Sequence, residues 1–182
     1  MWRYFIWLAA IVGLIIVLVI LILPGSKKAP TPRGIDQYSN TETIVRLTIK
    51  GPVVSDQKYE SIQISVGKDS VTYEELKGYK GQVANLQSYA NNDVAYNVFL
   101  HALAHTGFTV GDRSSKFSDE KGYCSQGDTY VYEIIDNNTD IQRFWSSTCG
   151  NPQTYGGNVG VTNSLFQAQV PDYSSLTNSI HL

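Results

Sequence analysis

An uncharged run of twenty residues near the N-terminus constrains this chain more than any other feature. Tyr4–Leu23 contains no Asp, Glu, Lys or Arg and is almost entirely apolar. At about 1.5 Å rise per residue, a helix of this length spans about 30 Å, the thickness of the hydrocarbon core of a bilayer. Residues 1–23 are therefore predicted to form a transmembrane anchor, and the lipid bilayer is the first expected partner.

A cleavable signal peptide is the alternative explanation for this segment. Such a peptide has an apolar core of about 7 to 15 residues, followed by small residues in an A-x-A-like cleavage site. The apolar run of this chain is longer, and Leu23-Pro24-Gly25-Ser26 does not match a cleavage site. We expect the segment to remain as a single-pass signal anchor.

The basic residues and the cysteines make opposite predictions about membrane orientation. Lys27, Lys28 and Arg33 follow the span, and the positive-inside rule would therefore keep the C-terminal part in the cytoplasm. Long domains, however, translocate largely regardless of flanking charge. Cys124 and Cys149 form one potential disulfide, a bond that persists in oxidising compartments. The sequence favours a C-terminal domain outside the cytoplasm.

Composition divides the rest of the chain into three parts. Residues 24–42 begin with a segment rich in proline and basic residues, and they are predicted to form a flexible stalk. Residues 43–171 are predicted to form one domain, and residues 172–182 a loose, polar tail. From Ile35 onward there are 10 Lys and Arg against 16 Asp and Glu, a net charge of −6. This negative charge argues against a nucleic-acid partner.

Alternating apolar and polar residues predict an antiparallel sheet of α+β class. Four successive segments with this pattern, separated by turn residues, predict a four-strand meander: 43–50, 61–66, 71–76 and 82–89. Two further strands, 128–135 and 141–145, flank Asn137-Asn138 and predict a hairpin. A two-residue turn at these asparagines predicts that Tyr130 lies opposite Trp145 and Tyr132 opposite Arg143.

Two helices are expected to pack on this sheet. Asn91-Asn92-Asp93 offers N-cap side chains, and Gly107 is the residue type that ends helices. The segment between them predicts the main amphipathic helix, whose inward positions are Val94, Ala95, Val98, Phe99, Ala102 and Leu103. Asn163–Gln169 predicts a short helix with Leu165 and Phe166 inward, ended by Pro171.

The predicted hairpin register also bears on the two cysteines. When the register is continued outward, Cys124 and Cys149 miss each other by two positions, and a small bulge would bring them together. We therefore predict a disulfide at the open end of the hairpin. Two buried free thiols are the alternative, because many buried cysteines serve only packing.

None of the possible chemical motifs in the chain predicts a catalytic, cofactor or metal site. His101 and His105 have the i, i+4 spacing of helical zinc ligands, but Ala102 stands where H-E-x-x-H has its glutamate, and packing at the helix rim is favoured. Thr148-Cys149 resembles the strand end that carries the nucleophile of sortase transpeptidases. No Arg or Lys follows Cys149, so the structural disulfide is favoured over catalysis.

Aromatic residues offer the one predicted contact surface. Tyr and Trp bury a large area at low entropic cost while keeping a polar group, so they are suited to binding protein or glycan. The candidates are Tyr130, Tyr132, Trp145 and Tyr155. The alternative is that these rings fill the core, because aromatic residues are also good strand formers.

Five segments together resemble a family of small, single-anchor membrane proteins of candidate-phyla bacteria such as Saccharibacteria: Gly51-Pro52-Val53-Val54, Tyr79-Lys80-Gly81-Gln82-Val83, Val98-Phe99-Leu100-His101-Ala102-Leu103, Trp145-Ser146-Ser147-Thr148-Cys149-Gly150 and Leu165-Phe166-Gln167-Ala168-Gln169-Val170-Pro171-Asp172-Tyr173. The resemblance implies a bacterial cell membrane and brings no activity, cofactor or site with it. We expect a non-enzymatic, membrane-anchored extracytoplasmic domain that binds protein or glycan or has a structural role in the envelope. A thiol- or histidine-dependent envelope hydrolase or transpeptidase is the alternative.

Overall fold

The computed structural model of the protein describes residues 34–38, 42–180 and 182. The predicted anchor lies outside these residues, as do residues 24–33 and 39–41 of the predicted stalk. Among the residues that are described, none of the helices has both the length and the apolar character that crossing a membrane requires.

Six antiparallel strands form one sheet, and their order confirms the predicted meander, hairpin and α+β class. The order across the sheet is β4-β3-β2-β1-β5-β6, so the hairpin β5–β6 pairs with β1 on the side opposite β2. The strands are β1 Thr43–Lys50, β2 Glu60–Val66, β3 Ser70–Lys77, β4 Gln82–Ala90, β5 Thr129–Asp136 and β6 Thr139–Ser147.

The two faces of the sheet differ in chemistry because apolar and polar residues alternate along its strands. One face carries the core, in which Leu47 of β1 lies between Ile64 of β2 and Tyr132 of β5, all three at 0% exposure. The opposite face carries mainly polar and charged side chains, such as Arg46, which pairs across to Glu133. The helices cover the apolar face, and the polar face provides the candidate functional site.

Helix α1, Asp93–Thr106, has the predicted ends but a different buried stripe. Asn92 caps it by accepting a hydrogen bond from the backbone N–H of Ala95 at 3.0 Å, and Gly107 ends it at φ 77°. Val94 and Val98, both predicted to face inward, are 73% and 65% exposed. The buried residues are Tyr96, Phe99, Leu100, Leu103 and Thr106.

The reason for this rotated stripe lies at Tyr96. Its hydroxyl donates a hydrogen bond to the backbone oxygen of Thr43 at 2.7 Å inside the core, and its ring is fully buried. A large ring whose hydroxyl is hydrogen-bonded buries more apolar area than a valine does. The helix therefore packs the face that carries Tyr96 against the sheet.

The two ends of the domain fold more than composition predicts. Ile35–Tyr38, within the expected stalk, forms a short 3-10 helix whose Ile35 is 2% exposed in the core. The expected loose tail instead contains helix α3, Tyr173–Thr177, and packs four partly buried side chains against the core: Tyr173, Leu176, Ile180 and Leu182. A few apolar side chains cover the edge of the core in both segments, although the average composition of each segment is polar.

Helix α2, Val159–Gln167, begins four residues before the predicted Asn163. The side chain of Asn158 accepts a hydrogen bond from the backbone N–H of Val161 at 3.1 Å and so caps the helix. This cap lies in a segment whose composition is typical of turns. Phe166 is fully buried as predicted, and Leu165 is partly buried.

The hairpin β5–β6 has the predicted turn but not the predicted register. Asn137 and Asn138 adopt φ values of 47° and 60°, which a two-residue hairpin turn requires. Tyr132, however, pairs with Phe144, one residue away from the predicted Arg143. The reason is a β-bulge next to the turn, where Ile134 pairs with Gln142 and Ile135 with Asp140, which leaves Ile141 as the extra residue.

Candidate functional site

A groove of about 760 Å³ lies on the polar face of the sheet. Its floor consists of side chains from the interior strands β1, β2 and β5, which project away from the core. These floor residues are Arg46, Thr48, Lys50, Ser61, Gln63, Thr129, Val131 and Glu133. The segment after β1 and the β3–β4 turn form one wall, and the loop that precedes β5 forms the other.

Trp145 holds the loop before β5 against the sheet. The indole N–H of Trp145 donates a hydrogen bond to the backbone oxygen of Phe117 at 2.6 Å, and the ring of Tyr123 stacks on the indole at 5.5 Å between centroids. The backbone N–H of Val53 donates to the oxygen of Ser125 at 2.8 Å and joins the two walls. The wall therefore has a fixed position relative to the floor.

A disulfide between Cys124 and Cys149, as the sequence predicts, ties the same wall to the end of β6. Gly127 is required beside it, because a Cβ at this position would lie 2.2 Å from Oγ1 of Thr148 and 3.0 Å from Sγ of Cys124. The bond thus closes a tightly packed corner of the groove.

The floor and this wall meet in a cluster of five charged side chains. Glu120, on the wall, accepts hydrogen bonds from Nζ of Lys50 at 2.5 Å and from Nη2 of Arg143 at 2.6 Å. Nε of Arg143 lies 3.3 Å from Oε1 of Glu133, and Nη1 of Arg46 lies 3.9 Å from Oε2 of the same carboxylate. The five residues therefore form one continuous ion-pair network.

The cationic side chains of this cluster reach solvent more than the acidic ones do. The side chains of Glu120 and Glu133 are 5% and 13% exposed, whereas those of Arg46, Lys50 and Arg143 are 29%, 32% and 31% exposed. The carboxylates lie beneath and position the cations. The part of the cluster that stays accessible from the groove therefore consists mainly of the three cationic side chains.

The two carboxylates of the cluster have pKa values displaced in opposite directions. Burial raises the pKa of Glu120, but the hydrogen bonds from Lys50 and Arg143 outweigh burial and bring this pKa down to about 2. Burial also raises the pKa of Glu133, and the more distant guanidinium groups of Arg143 and Arg46 do not fully offset this increase. Glu120 is therefore the firmly ionised centre of the cluster.

A pair of stacked tyrosines forms part of the opposite wall. The rings of Tyr59 and Tyr79 lie 4.2 Å apart at an interplanar angle of 22°. Tyr79 is 52% exposed and is held by its hydroxyl, which donates to the backbone oxygen of Val54 at 2.7 Å, and by its backbone N–H, which donates to Asp56 at 2.7 Å. The groove is therefore bordered by a fixed, solvent-accessible aromatic ring.

The aromatic contact surface predicted from the sequence does not form. Tyr132, Trp145 and Tyr155 are only 0% to 2% exposed, and Tyr130 is half-buried. Tyr132 and Tyr155 pack against Phe108 in the core, whereas Trp145 lies on the other face beneath the wall loop. The alternative interpretation, that these rings fill the interior, describes the structure.

The fold does not bring together the three candidate catalytic residues Cys149, His101 and His105. Cys149 is bonded to Cys124 beside the groove, whereas His101 and His105 are exposed on α1, which packs on the other side of the sheet. Among the described residues, no group of three or more His, Cys, Asp or Glu side chains is placed to hold a metal ion.

Sequence reasoning missed the charged cluster although part of its signal is visible. Arg46, Thr48 and Lys50 alternate with apolar residues along β1, which places all three on the face opposite the core. Glu120 lies in a polar loop without periodicity, where a solvated carboxylate is the ordinary expectation. Only the folded loop brings it to Lys50 and Arg143.

Comparison with known proteins assigns no family to this α+β domain. No protein-family model matches the chain, and a search of the curated proteins finds no similar sequence.

Proposed function

We propose that this chain is a non-enzymatic binding protein, anchored in the cell membrane by residues 1–23, whose C-terminal domain lies outside the cytoplasm and binds its ligand in the groove. The observation that carries the proposal is the groove itself, a cavity of about 760 Å³ with a polar floor, an exposed aromatic ring and a wall fixed by a disulfide. A concave site with a few convergent polar groups is the usual form of a ligand-binding site.

The apolar segment and the disulfide support the location. Tyr4–Leu23 is long enough and apolar enough to span a bilayer. Disulfides persist in oxidising compartments, and the bond between Cys124 and Cys149 is therefore consistent with a domain on the outer side. The bonded state of Cys149 also removes the thiol that a transpeptidase would need, so binding is favoured over that activity.

Orientation is tested by labelling thiols in intact cells that express the full-length chain. We expect a membrane-impermeant maleimide to label Cys124 and Cys149 only after treatment with an impermeant reductant. Labelling only after lysis would contradict an outer location, and labelling of intact cells without reductant would contradict the disulfide. Mass spectrometry of the tryptic peptides identifies the labelled residues.

The groove is tested by retention of solubilised envelope material on immobilised protein. The double variant Gln63→Ala/Tyr79→Ala removes an amide from the floor and the exposed ring from the wall. We expect retention to fall about 10-fold, because a few central residues supply most of the energy at a binding site. Neither side chain belongs to the core cluster, so the thermal unfolding midpoint should change little.

Val94→Ala is the matched control for this experiment, since Val94 is 73% exposed on α1, on the other side of the sheet. Retention should be unchanged in this variant. Equal retention by the double variant and the wild type would refute the assignment of the groove as the binding site.

A further inference from the structure

We infer that the groove binds an acidic glycan, meaning a sugar chain whose acid group, a carboxylate or a phosphate, contacts the cations of the cluster while a sugar ring packs on Tyr79. The inference rests on the proposed function and specifies its ligand. It is carried by three features of the groove: the exposed cations, the aromatic ring and the interior position of the floor strands.

The cations supply the case for an acid group. The groove is lined by Arg46, Lys50, Lys121 and Arg143, against only two carboxylates, Glu120 and Glu133. Both carboxylates are more buried than the cationic side chains they pair with, so the cations are the more accessible groups for a ligand. Arginine presents a planar set of donors that fits a carboxylate or a phosphate. The domain as a whole has a net charge of −6, which makes this local excess of cations a specific feature of the groove.

The ring of Tyr79 and the polar floor supply the case for a sugar. The C–H faces of a sugar ring are apolar and its edges carry hydroxyl groups, so a sugar needs a flat apolar surface together with neutral polar groups. The ring of Tyr79 is half exposed and stacks on the ring of Tyr59. The floor carries the hydroxyl groups of Thr48 and Ser61, which are 8% and 6% exposed, and the amide of Gln63, whose nitrogen also donates to Oε2 of Glu74 at 2.6 Å.

The position of the groove argues against an acidic peptide. Peptides bound to sheets commonly add a strand at an edge, where backbone N–H and C=O groups are unpaired. The floor of the groove is made by β2, β1 and β5, each of which pairs with strands on both sides. A ligand on this face meets side chains rather than free backbone groups, which suits a glycan better.

The inference is tested by calorimetric titration of the full-length protein in nanodiscs of zwitterionic lipid. The probes are an oligogalacturonate for carboxylate, a mannose-6-phosphate oligosaccharide for phosphate, a neutral cello-oligosaccharide and an oligoglutamate peptide. We expect at least one acidic glycan to bind about 10-fold more tightly than the peptide, because the peptide has no sugar ring to pack on Tyr79. We also expect it to bind about 10-fold more tightly than the neutral glycan, because the neutral glycan has no acid group to accept charge-assisted hydrogen bonds. This preference should shrink as salt is raised.

Two variants connect binding to the residues named. Arg46→Gln should weaken binding of the acidic glycan about 10-fold and leave the fold intact, because Glu133 keeps its contact with Arg143 at 3.3 Å. Lys68→Gln removes a cation that pairs with Asp93 and does not line the groove, and it should bind as the wild type does. Tyr79→Ala should weaken binding about 3- to 10-fold, whereas Tyr79→Phe, which keeps the ring, should not.

Each contrary result overturns a defined part of the inference. If the neutral glycan binds as tightly as the acidic glycans or more tightly, the acid group has no role in recognition. If oligoglutamate does so, the ligand does not need a sugar ring. Absence of binding by both acidic glycans overturns the ligand class. If envelope retention still depends on Gln63 and Tyr79 in that case, the proposed function stands with another ligand; if retention does not depend on them, both proposals fail.

Discussion

Replacing Cys124 and Cys149 together by alanine is expected to lower the free energy of unfolding by about 3–4 kcal/mol. The two residues are 25 positions apart, and the bond between them closes that segment into a loop in the unfolded chain as well. The unfolded chain therefore has less conformational entropy, which stabilises the folded state. Urea unfolding of the domain, residues 33–182, measures the change. This fragment is suitable because Arg33–Leu182 is one compact unit.

The same double variant should loosen the groove wall while the sheet remains folded. Trp145 is the only tryptophan outside the predicted anchor, so its fluorescence reports the contacts with Phe117 and Tyr123. We expect a red-shifted emission and a weaker affinity for the groove ligand in the variant. Reduction of the wild-type domain should reproduce both effects, which provides a control without substitution. A loss of stability below about 1 kcal/mol would show that the bond constrains the chain little.

Glu120→Gln is expected to lower the free energy of unfolding by about 2–4 kcal/mol at pH 7. Glu120 is buried and pairs with Lys50 and Arg143, and removal of one charge from a buried pair typically costs about 3–5 kcal/mol. Both cations remain about one-third exposed and therefore regain water, which reduces the expected cost. Glutamine has nearly the same shape, so the effect is one of charge rather than of packing.

The pH dependence provides a signature of this pair. The pKa of Glu120 is lowered from 4.5 to about 2 in the folded protein, so its contribution to stability is complete above pH 4.5 and is lost as the pH falls toward 2. The raised pKa of Glu133 acts in the opposite direction and offsets part of this loss. The difference between the wild type and Glu120→Gln should therefore shrink steadily below pH 4.5.

Urea unfolding at a series of pH values measures this difference. Asp119→Asn is the matched control, because Asp119 is the exposed neighbour of Glu120 and its carboxylate pairs with the solvated Lys121 at 3.5 Å. It should change stability by less than about 0.5 kcal/mol throughout. A difference between the wild type and Glu120→Gln that stays constant down to pH 2 would contradict the assigned ion pair.

The hairpin β5–β6 illustrates how far sequence reasoning reaches. The asparagine pair predicts the turn, because few residues tolerate positive φ at both central positions. The extra residue Ile141 is not marked by glycine or any other signal, and it shifts every pair beyond it by one position. The shift places Arg143 opposite Glu133, on the groove face, whereas the predicted register would place the guanidinium opposite Tyr132 in the core.

The aromatic residues show the same limit. Alternation along β5 and β6 predicts that Tyr132 and Trp145 belong to strands, but strand residues on either face become buried when another element covers that face. Tyr132 packs against Phe108 on the face of the sheet that the helices cover. Trp145 is covered on the other face by the loop that carries Phe117. Tyr79, which the prediction of a contact surface omitted, remains exposed because it lies on a turn.

The sequence by itself determined the strands of the meander, the ends of α1, the turn at Asn137-Asn138 and the pairing of the two cysteines. Each of these depends on residues close together in the chain or, for the cysteines, on one connecting hairpin. Only the tertiary structure decided the register of β6, the folding of the loop that carries Glu120, and hence the groove. Burial and charge pairing between segments distant in sequence are not encoded in any local period, because they depend on which surfaces meet when the whole chain packs.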